Sequence, residues 1–430
     1  MSALFYVSVA LVAAILSIAR IVVTNFAALS TLVWAEDGLF PLCVSQHGYL
    51  PCLVDPFAGY FLFLSRTLAV PVSWFPLDAW PLATNVVAAT SVGATAALIA
   101  WLVVRSGWGK VPAFIVGLIP VVVPIAGFEA VNAAGSVYMM LLVAAAMAVS
   151  LPAGRNIPVW SLGMILAATS LTIPSSVILL APLAFTLLTR PRQLGRLFVG
   201  VAALIVGLIV QLLVSVTAAN PRPIAISAES FGGWVQGLPA ALMTLWPSDV
   251  VLGPTGVLET QVTLSPATGW VTLGLLAIVA IGLALIGRRR EDSRITGVGL
   301  LVGVGVLLGA VPAVAGFANN RYYVIPIAVV GIATVLAIAV LARRRAILAT
   351  LITAAVLAVL WAPGFGAGQY RSTASPPWPD MLAQARTVCE GESADVALTF
   401  SPNWPFPDAV FPGVTSQRVP CEWLLRATSE

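Results

Sequence analysis

Charge is what this chain has least of. Asp, Glu, Lys and Arg together make up 9% of its 430 residues, where soluble domains carry about 25%. A chain so poor in charge cannot clothe a water-facing surface in polar groups, and a freely soluble fold is excluded. Histidine is scarcer still, with His47 alone, which rules out a His-rich metal site. No Walker A sequence, dinucleotide-binding glycine fingerprint, paired-histidine metal motif or serine-hydrolase elbow occurs, so the common nucleotide, zinc and acyl-transfer chemistries lack their signatures. No internal repeat of the kind that marks many transporters is visible, nor any low-complexity tract.

What the chain has instead is apolar length. Hydrophobic residues make up 60% of it and the mean hydropathy is +1.00. Apolar runs long enough to cross a hydrocarbon core of about 30 Å recur from end to end, separated by polar or Pro/Gly-rich joints. The expected fold is an all-α polytopic membrane protein with about eleven spans, near residues 4–30, 82–104, 112–127, 135–151, 158–173, 175–189, 197–216, 268–287, 296–315, 322–341 and 346–362. The pair around Pro174 also reads as one bent segment. The first run has no basic n-region and exceeds the apolar length of about 7–15 residues usual in a signal peptide, so it is expected to stay as a span.

Charge placement gives the orientation. With the N-terminus inside, the short inner joints hold Arg105, Lys110, Arg155, Arg190, Arg192, Arg196, the Arg288–Arg290 run, Arg294 and the Arg343–Arg345 run, thirteen of the 21 basic residues, as the positive-inside rule requires. Of the 17 acids only Glu291 and Asp292 fall on that side. An odd number of spans then leaves the tail from Pro363 to Glu430 outside. All four cysteines, Cys43, Cys52, Cys389 and Cys421, lie in segments so placed, where disulfides persist. Of the three possible pairings the local one is expected, Cys43 with Cys52 and Cys389 with Cys421; unpaired buried cysteines are the alternative.

The membrane domain, 1–362, therefore displays two sizeable outer loops, about 31–81 and 217–267, and precedes a small C-terminal α/β domain, 363–430. The first loop is rich in Trp, Tyr and Phe, as suits short helices in the headgroup layer. In the second, Trp234, Leu238, Leu242 and Leu245 recur at helical spacing, which reads as an interfacial helix or a lid. The tail predicts a helix near 379–389 and a strand near 394–400.

Candidate chemistry gathers on the outer side. Glu36 and Asp37 sit at a membrane border, where carboxylates bear a desolvation cost unless paired or used. Adjacent side chains on a helix point about 100° apart, so the two take separate jobs: one approaches a reacting hydroxyl while the other holds a sugar hydroxyl or a cation. The same residues also read as a capping cluster, with Asp37 and Gly38 in a turn. Arg66 and Arg321 are cations on the outer border, where positive charge is otherwise scarce; each can meet a phosphate or snorkel to lipid headgroups. Arg20 lies well inside a span and needs a partner, whether a lipid phosphate, Glu129 or Asp37. Glu129 and Asn132 mark a further outer corner. His47, between two cysteines, reads as a solvated structural residue.

The run WAEDGLF after the first span, followed by FAGYFLFLSR, resembles the GT-C superfamily of polytopic glycosyltransferases, in particular bacterial members with an acidic EDG motif in the first outer loop. LTIPSSVILLAPL at 171–183 and NNRYYVIP at 319–326 are similar to further segments of such proteins. The resemblance implies an essential acid in that loop, here Asp37 or Glu36, and a polyprenyl-phosphate sugar donor presented from the outer leaflet of a bacterial cytoplasmic membrane. It also implies a glycan, lipid or protein acceptor and no nucleic acid. Arg66, Arg321, Arg20, Tyr60, Glu129, Asn132, Asn320 and Tyr322 are the expected substrate contacts. A divalent cation, Mg or Mn, is a possible companion of the acids; no metal ligand set is expected. A transporter or lipid flippase and a non-catalytic envelope scaffold are the competing classes. A coupled transporter keeps acids or histidines within its spans, and none is found there.

Overall fold

A computed structural model describes residues 3–33, 35–57, 59–123, 133–152, 156–189, 194–218, 226–243, 251–252, 258–259, 266–315, 321–365, 377–391, 393–400 and 416–427. The chain is predominantly helical. Helices α1 (Ala3–Asn25), α2 (Ala28–Thr31), α3 (Ala35–His47), α4 (Tyr49–Val54), α5 (Phe63–Ser73), α6 (Trp80–Arg105), α7 (Lys110–Val122) and α8 (Tyr138–Ser150) form the first part. They are followed by α9 (Val159–Ser170), α10 (Leu180–Thr189), α11 (Leu194–Thr217), α12 (Ala228–Met243), α13 (Pro266–Arg289), α14 (Ser293–Val314), α15 (Arg321–Leu341) and α16 (Ala346–Phe365). The tail contributes α17 (Trp378–Glu390) and α18 (Cys421–Ala427). Strands β1 (Val251–Leu252) and β2 (Leu258–Glu259) pair antiparallel, and so do β3 (Asp395–Thr399) and β4 (Ser416–Pro420), the latter from Asp395 opposite Pro420 to Thr399 opposite Ser416.

Six helical segments, Ala3–Val23, Leu77–Arg105, Leu197–Thr217, Ala267–Arg289, Ser293–Val314 and Tyr323–Leu341, are long and apolar enough to cross a membrane. This is a multi-pass membrane protein. Five shorter apolar helices, Lys110–Val122, Ala134–Ser150, Val159–Ser170, Pro174–Leu188 and Ala346–Ala362, coincide with the remaining expected spans. The shortening has local causes. Around Pro174 the chain forms a 3-10 turn over Pro174–Leu179 between α9 and α10, because proline there withholds a helix N–H. The result is two short helices, where one long bent one was the alternative.

Helix α6 fixes the two ends of the bundle. It begins after a 3-10 turn with Pro81 in its first turn, where the missing N–H is harmless, and runs for 26 residues, about 39 Å. It stops at Gly107, whose φ of 91° suits glycine. At this end the basic joints meet: the Asn156 side-chain amide donates to the Arg105 carbonyl at 2.8 Å, and the Trp108 indole donates to Leu336 at 3.3 Å.

At the opposite end the tail packs on the segment between α1 and α6 through one shared core. Val33, Leu42, Val72, Leu77 and Trp80 are buried together with Trp378, Leu382, Leu398, Phe400, Val419 and Leu424. Trp378 stacks between Trp80 (6.1 Å) and Phe400 (5.8 Å), and its indole N–H donates to the Leu77 carbonyl at 2.7 Å. The disulfides Cys43–Cys52 and Cys389–Cys421 are both formed. Helix α12 is no loose lid: Trp234, Val235, Leu238 and Ala241 are fully buried, with Trp234 stacked on Tyr323 at 5.9 Å.

Candidate active site around Asp37 and Arg66

Asp37 stands in the first turn of α3. Pro41, four residues on, has no N–H to give the Asp37 carbonyl, so this turn depends on tertiary contacts. Its side chain is 4% exposed, and Oδ1 accepts a 2.7 Å hydrogen bond from the Gly135 N–H. Gly135 lies in the 3-10 turn Ala134–Ser136 that leads into α8. The carbonyl of the same Gly135 takes the Ser65 hydroxyl at 2.7 Å. The N–H and carbonyl of one residue thus tie the EDG turn to the residue before Arg66.

A second link runs through Phe40. Residues three apart share a helix face, so Phe40 lies one turn from Asp37 on the same side of α3, and the Arg66 guanidinium sits over its ring at 4.5 Å. Arg66 is 3% exposed. Its Nη2 donates to the Asp55 carbonyl at 2.9 Å and meets the Asp55 carboxylate at 3.4 Å. The Asp55 side chain is 61% exposed, so this pair joins a deep cation to an acid at the rim and contributes little as a salt bridge. Burial pushes the Arg66 guanidinium below its ordinary value, and the charge and hydrogen bond of Asp55 partly offset that. Its Nε is buried without a hydrogen-bond partner among the described residues, so one strong donor is available.

The stretch between Asp55 and Arg66 is pinned from three sides. Phe57 and Tyr60 exchange backbone hydrogen bonds of 3.1 and 2.9 Å around Gly59, whose φ is 82°, a left-handed position that favours glycine. Gln211 on α11 is 2% exposed. Its amide accepts from the Phe61 N–H at 3.0 Å and donates to the Phe61 carbonyl at 2.8 Å, while Ser215, one turn on, donates to the Gly59 carbonyl at 2.8 Å. The opening N–H groups of α5, which no helix carbonyl can serve, find the Leu171 carbonyl (3.3 Å, from Phe63) and the Thr172 hydroxyl (3.2 Å, from Leu64). FAGYFLFLSR and LTIPSS, distant in sequence, are neighbours here.

The expected site residues divide accordingly. Asp37 and Arg66 stand on packed elements, α3 and α5, linked through Gly135 and Phe40, with Tyr60 half-buried against Phe40 and Leu62. Arg20 is buried: its Nη1 donates to the carbonyls of Val121 (2.6 Å) and Val123 (2.8 Å) at the end of α7, and it lies 4.8 Å over the Phe365 ring. Cations suit a helix C-terminus, where carbonyls lack partners. Glu129, Asn132 and Asn320 lie outside the described residues, as do the side chains of Glu36, Arg321 and Tyr322. Among the described residues no three His, Cys, Asp or Glu side chains gather in a way that could hold a metal ion.

Sequence reasoning missed Asp55, Phe40, Ser65 and Gln211. Only Gln211 carried a signal: a single carboxamide in an otherwise apolar helix is a functional pointer by default. No protein-family model matches this chain, and no curated protein sequence matches it.

Proposed function

We propose that this protein is a GT-C-like glycosyltransferase. In this reading it moves a sugar from a polyprenyl-phosphate donor to an envelope glycan, lipid or protein acceptor at the outer face of a bacterial cytoplasmic membrane. About eleven membrane segments are read from the six long and five shorter apolar helices, with the N-terminus inside and the C-terminus outside. The gathering of basic joints at one end of α6 and of both disulfides at the other supports that orientation.

The observation that carries the reading is a buried carboxylate and a buried guanidinium on facing elements at the disulfide end: Asp37, oriented by Gly135, and Arg66, with Nε unused. Asp37 takes the proton of the acceptor hydroxyl as that oxygen bonds to the anomeric carbon. The bond from this carbon to the phosphate oxygen breaks, and the polyprenyl phosphate leaves with its growing charge toward Arg66 and Arg321. Glu36 positions the sugar. A charge pair at 4 Å is worth about 4 kcal/mol at an effective dielectric of 20, so an arginine contact that strengthens as phosphate leaves contributes about a thousandfold in rate.

The test is transfer from a labelled polyprenyl-phosphate sugar in membranes carrying wild type, Asp37→Asn or Arg66→Gln. A general base contributes about 10²–10⁴-fold, so Asp37→Asn should lose at least a hundredfold at unchanged protein level, with the donor accumulating in cells. Full transfer by Asp37→Asn would remove the catalytic assignment. An envelope scaffold is the second reading, favoured by the core that the tail shares with the first loop; it calls for no transfer activity, and tail removal would then account for the whole phenotype.

A further inference from the structure

Away from the acid site, α1, α6, α8 and α9 leave an apolar groove of about 540 Å³ between them, inside the range of about 300–1,000 Å³ typical of small-molecule sites. Tyr6, Ala94, Ala97, Trp101, Met164 and Ala168 are among the residues that line it. The groove runs along the half of α6 that ends at the basic joints. Trp101 is four residues from Arg105 and Ala94 eleven, about 6 and 16 Å along the helix axis, which matches the depth of about 15 Å of one leaflet.

Arg105 stands one helical turn beyond the lining residue Trp101. Its guanidinium lies 5.8 Å from the Trp101 ring, so this lining aromatic meets the cation. Arg105 is exposed, and among the described residues it has no carboxylate partner. An apolar trough one leaflet deep, opening beside an uncompensated cation with aromatic residues at headgroup level, matches a lipid that is apolar along its chain and negative at its head.

We infer that this groove is a binding site for one anionic phospholipid of the leaflet at the basic end, its acyl chain along Ala97 and Ala168 and its phosphate headgroup at Arg105. A basic residue near a membrane surface favours anionic lipid by about five-fold. The experiment is native mass spectrometry of the full chain released from nanodiscs holding equal phosphatidylglycerol and phosphatidylcholine with identical chains. Wild type should retain one phosphatidylglycerol in preference by about five-fold. Arg105→Gln should bring the two lipids to parity, Ala97→Trp should lose the retained lipid, and Arg288→Gln should change nothing. Equal retention by wild type would overturn the inference. So would a preference that survives Arg105→Gln, moves with Arg288, or persists in a folded Ala97→Trp protein.

Discussion

Gly38 shows how one residue couples the acid motif to the tail. A Cβ added there would overlap the Phe400 ring and come within 2.8 Å of Val33, so the EDG motif needs its glycine for close approach, not for turn conformation. Overpacking of this kind costs about 1–3 kcal/mol. Gly38→Ala should therefore loosen the tail from the first loop, seen as faster proteolysis of residues 377–427 in membranes. Gly232→Ala, where nothing lies within 4 Å of the added methyl, should leave that rate unchanged. Phe400 is fully buried and follows directly on β3, so the strand pairing sets the ring that covers the residue beside Asp37.

Elements are held by end contacts as much as by their apolar faces. Asp292 caps α14, accepting from the Arg294 N–H at 2.9 Å and pairing with its guanidinium at 3.0 Å. The hydrogen bond from the Arg294 side chain, ahead of opposing burial, holds this carboxyl below the usual carboxylate value. A carboxylate depressed in the folded state stabilises above its unfolded pKa of about 3.9 and loses that contribution as pH falls through the lower folded value. Asp292→Ala should cost about 1 kcal/mol near neutral pH, and the gap to wild type should narrow below about pH 4 in thermal unfolding in detergent. The tail disulfide acts on a longer scale. Cys389 and Cys421 are 32 residues apart, and closing such a loop stabilises by about 3–4 kcal/mol. Replacing both with alanine should lower the unfolding temperature of the tail, and removing the nine-residue Cys43–Cys52 link should cost somewhat less.

For the whole molecule the testable quantity is orientation. All four cysteines are paired and none is free, so the wild type is a blank for thiol labelling. An impermeant maleimide should label Arg418→Cys in intact cells and Arg290→Cys only after permeabilisation. The opposite pattern would invert the proposed topology and place the Asp37 site on the inner face, where an outer-leaflet donor could not reach it. The same arrangement separates the two proposed lipid contacts: the acid site at the disulfide end of α6 and the apolar groove near Arg105 at the basic end.

Hydropathy and charge order act over tens of neighbouring residues, and they were enough to predict the membrane class, the helical segments, the tail helix and strand, and the separation of basic from cysteine-bearing joints. Spacing also sufficed for both disulfides, because the short loops are the easiest to close. What tertiary structure alone decided are the contacts between distant residues: Phe400 on Gly38, Arg20 on the end of α7, Gln211 on Phe61, Asp37 and Ser65 on the backbone of Gly135. Each answers to an unsatisfied backbone group or a gap that exists only once the helices are packed, so no local pattern announces it. Arg66 is the clearest case: its standing as a candidate cation was legible from the charge order, whereas Phe40 beneath it and Asp55 beside it follow from the packing of α3 against α5.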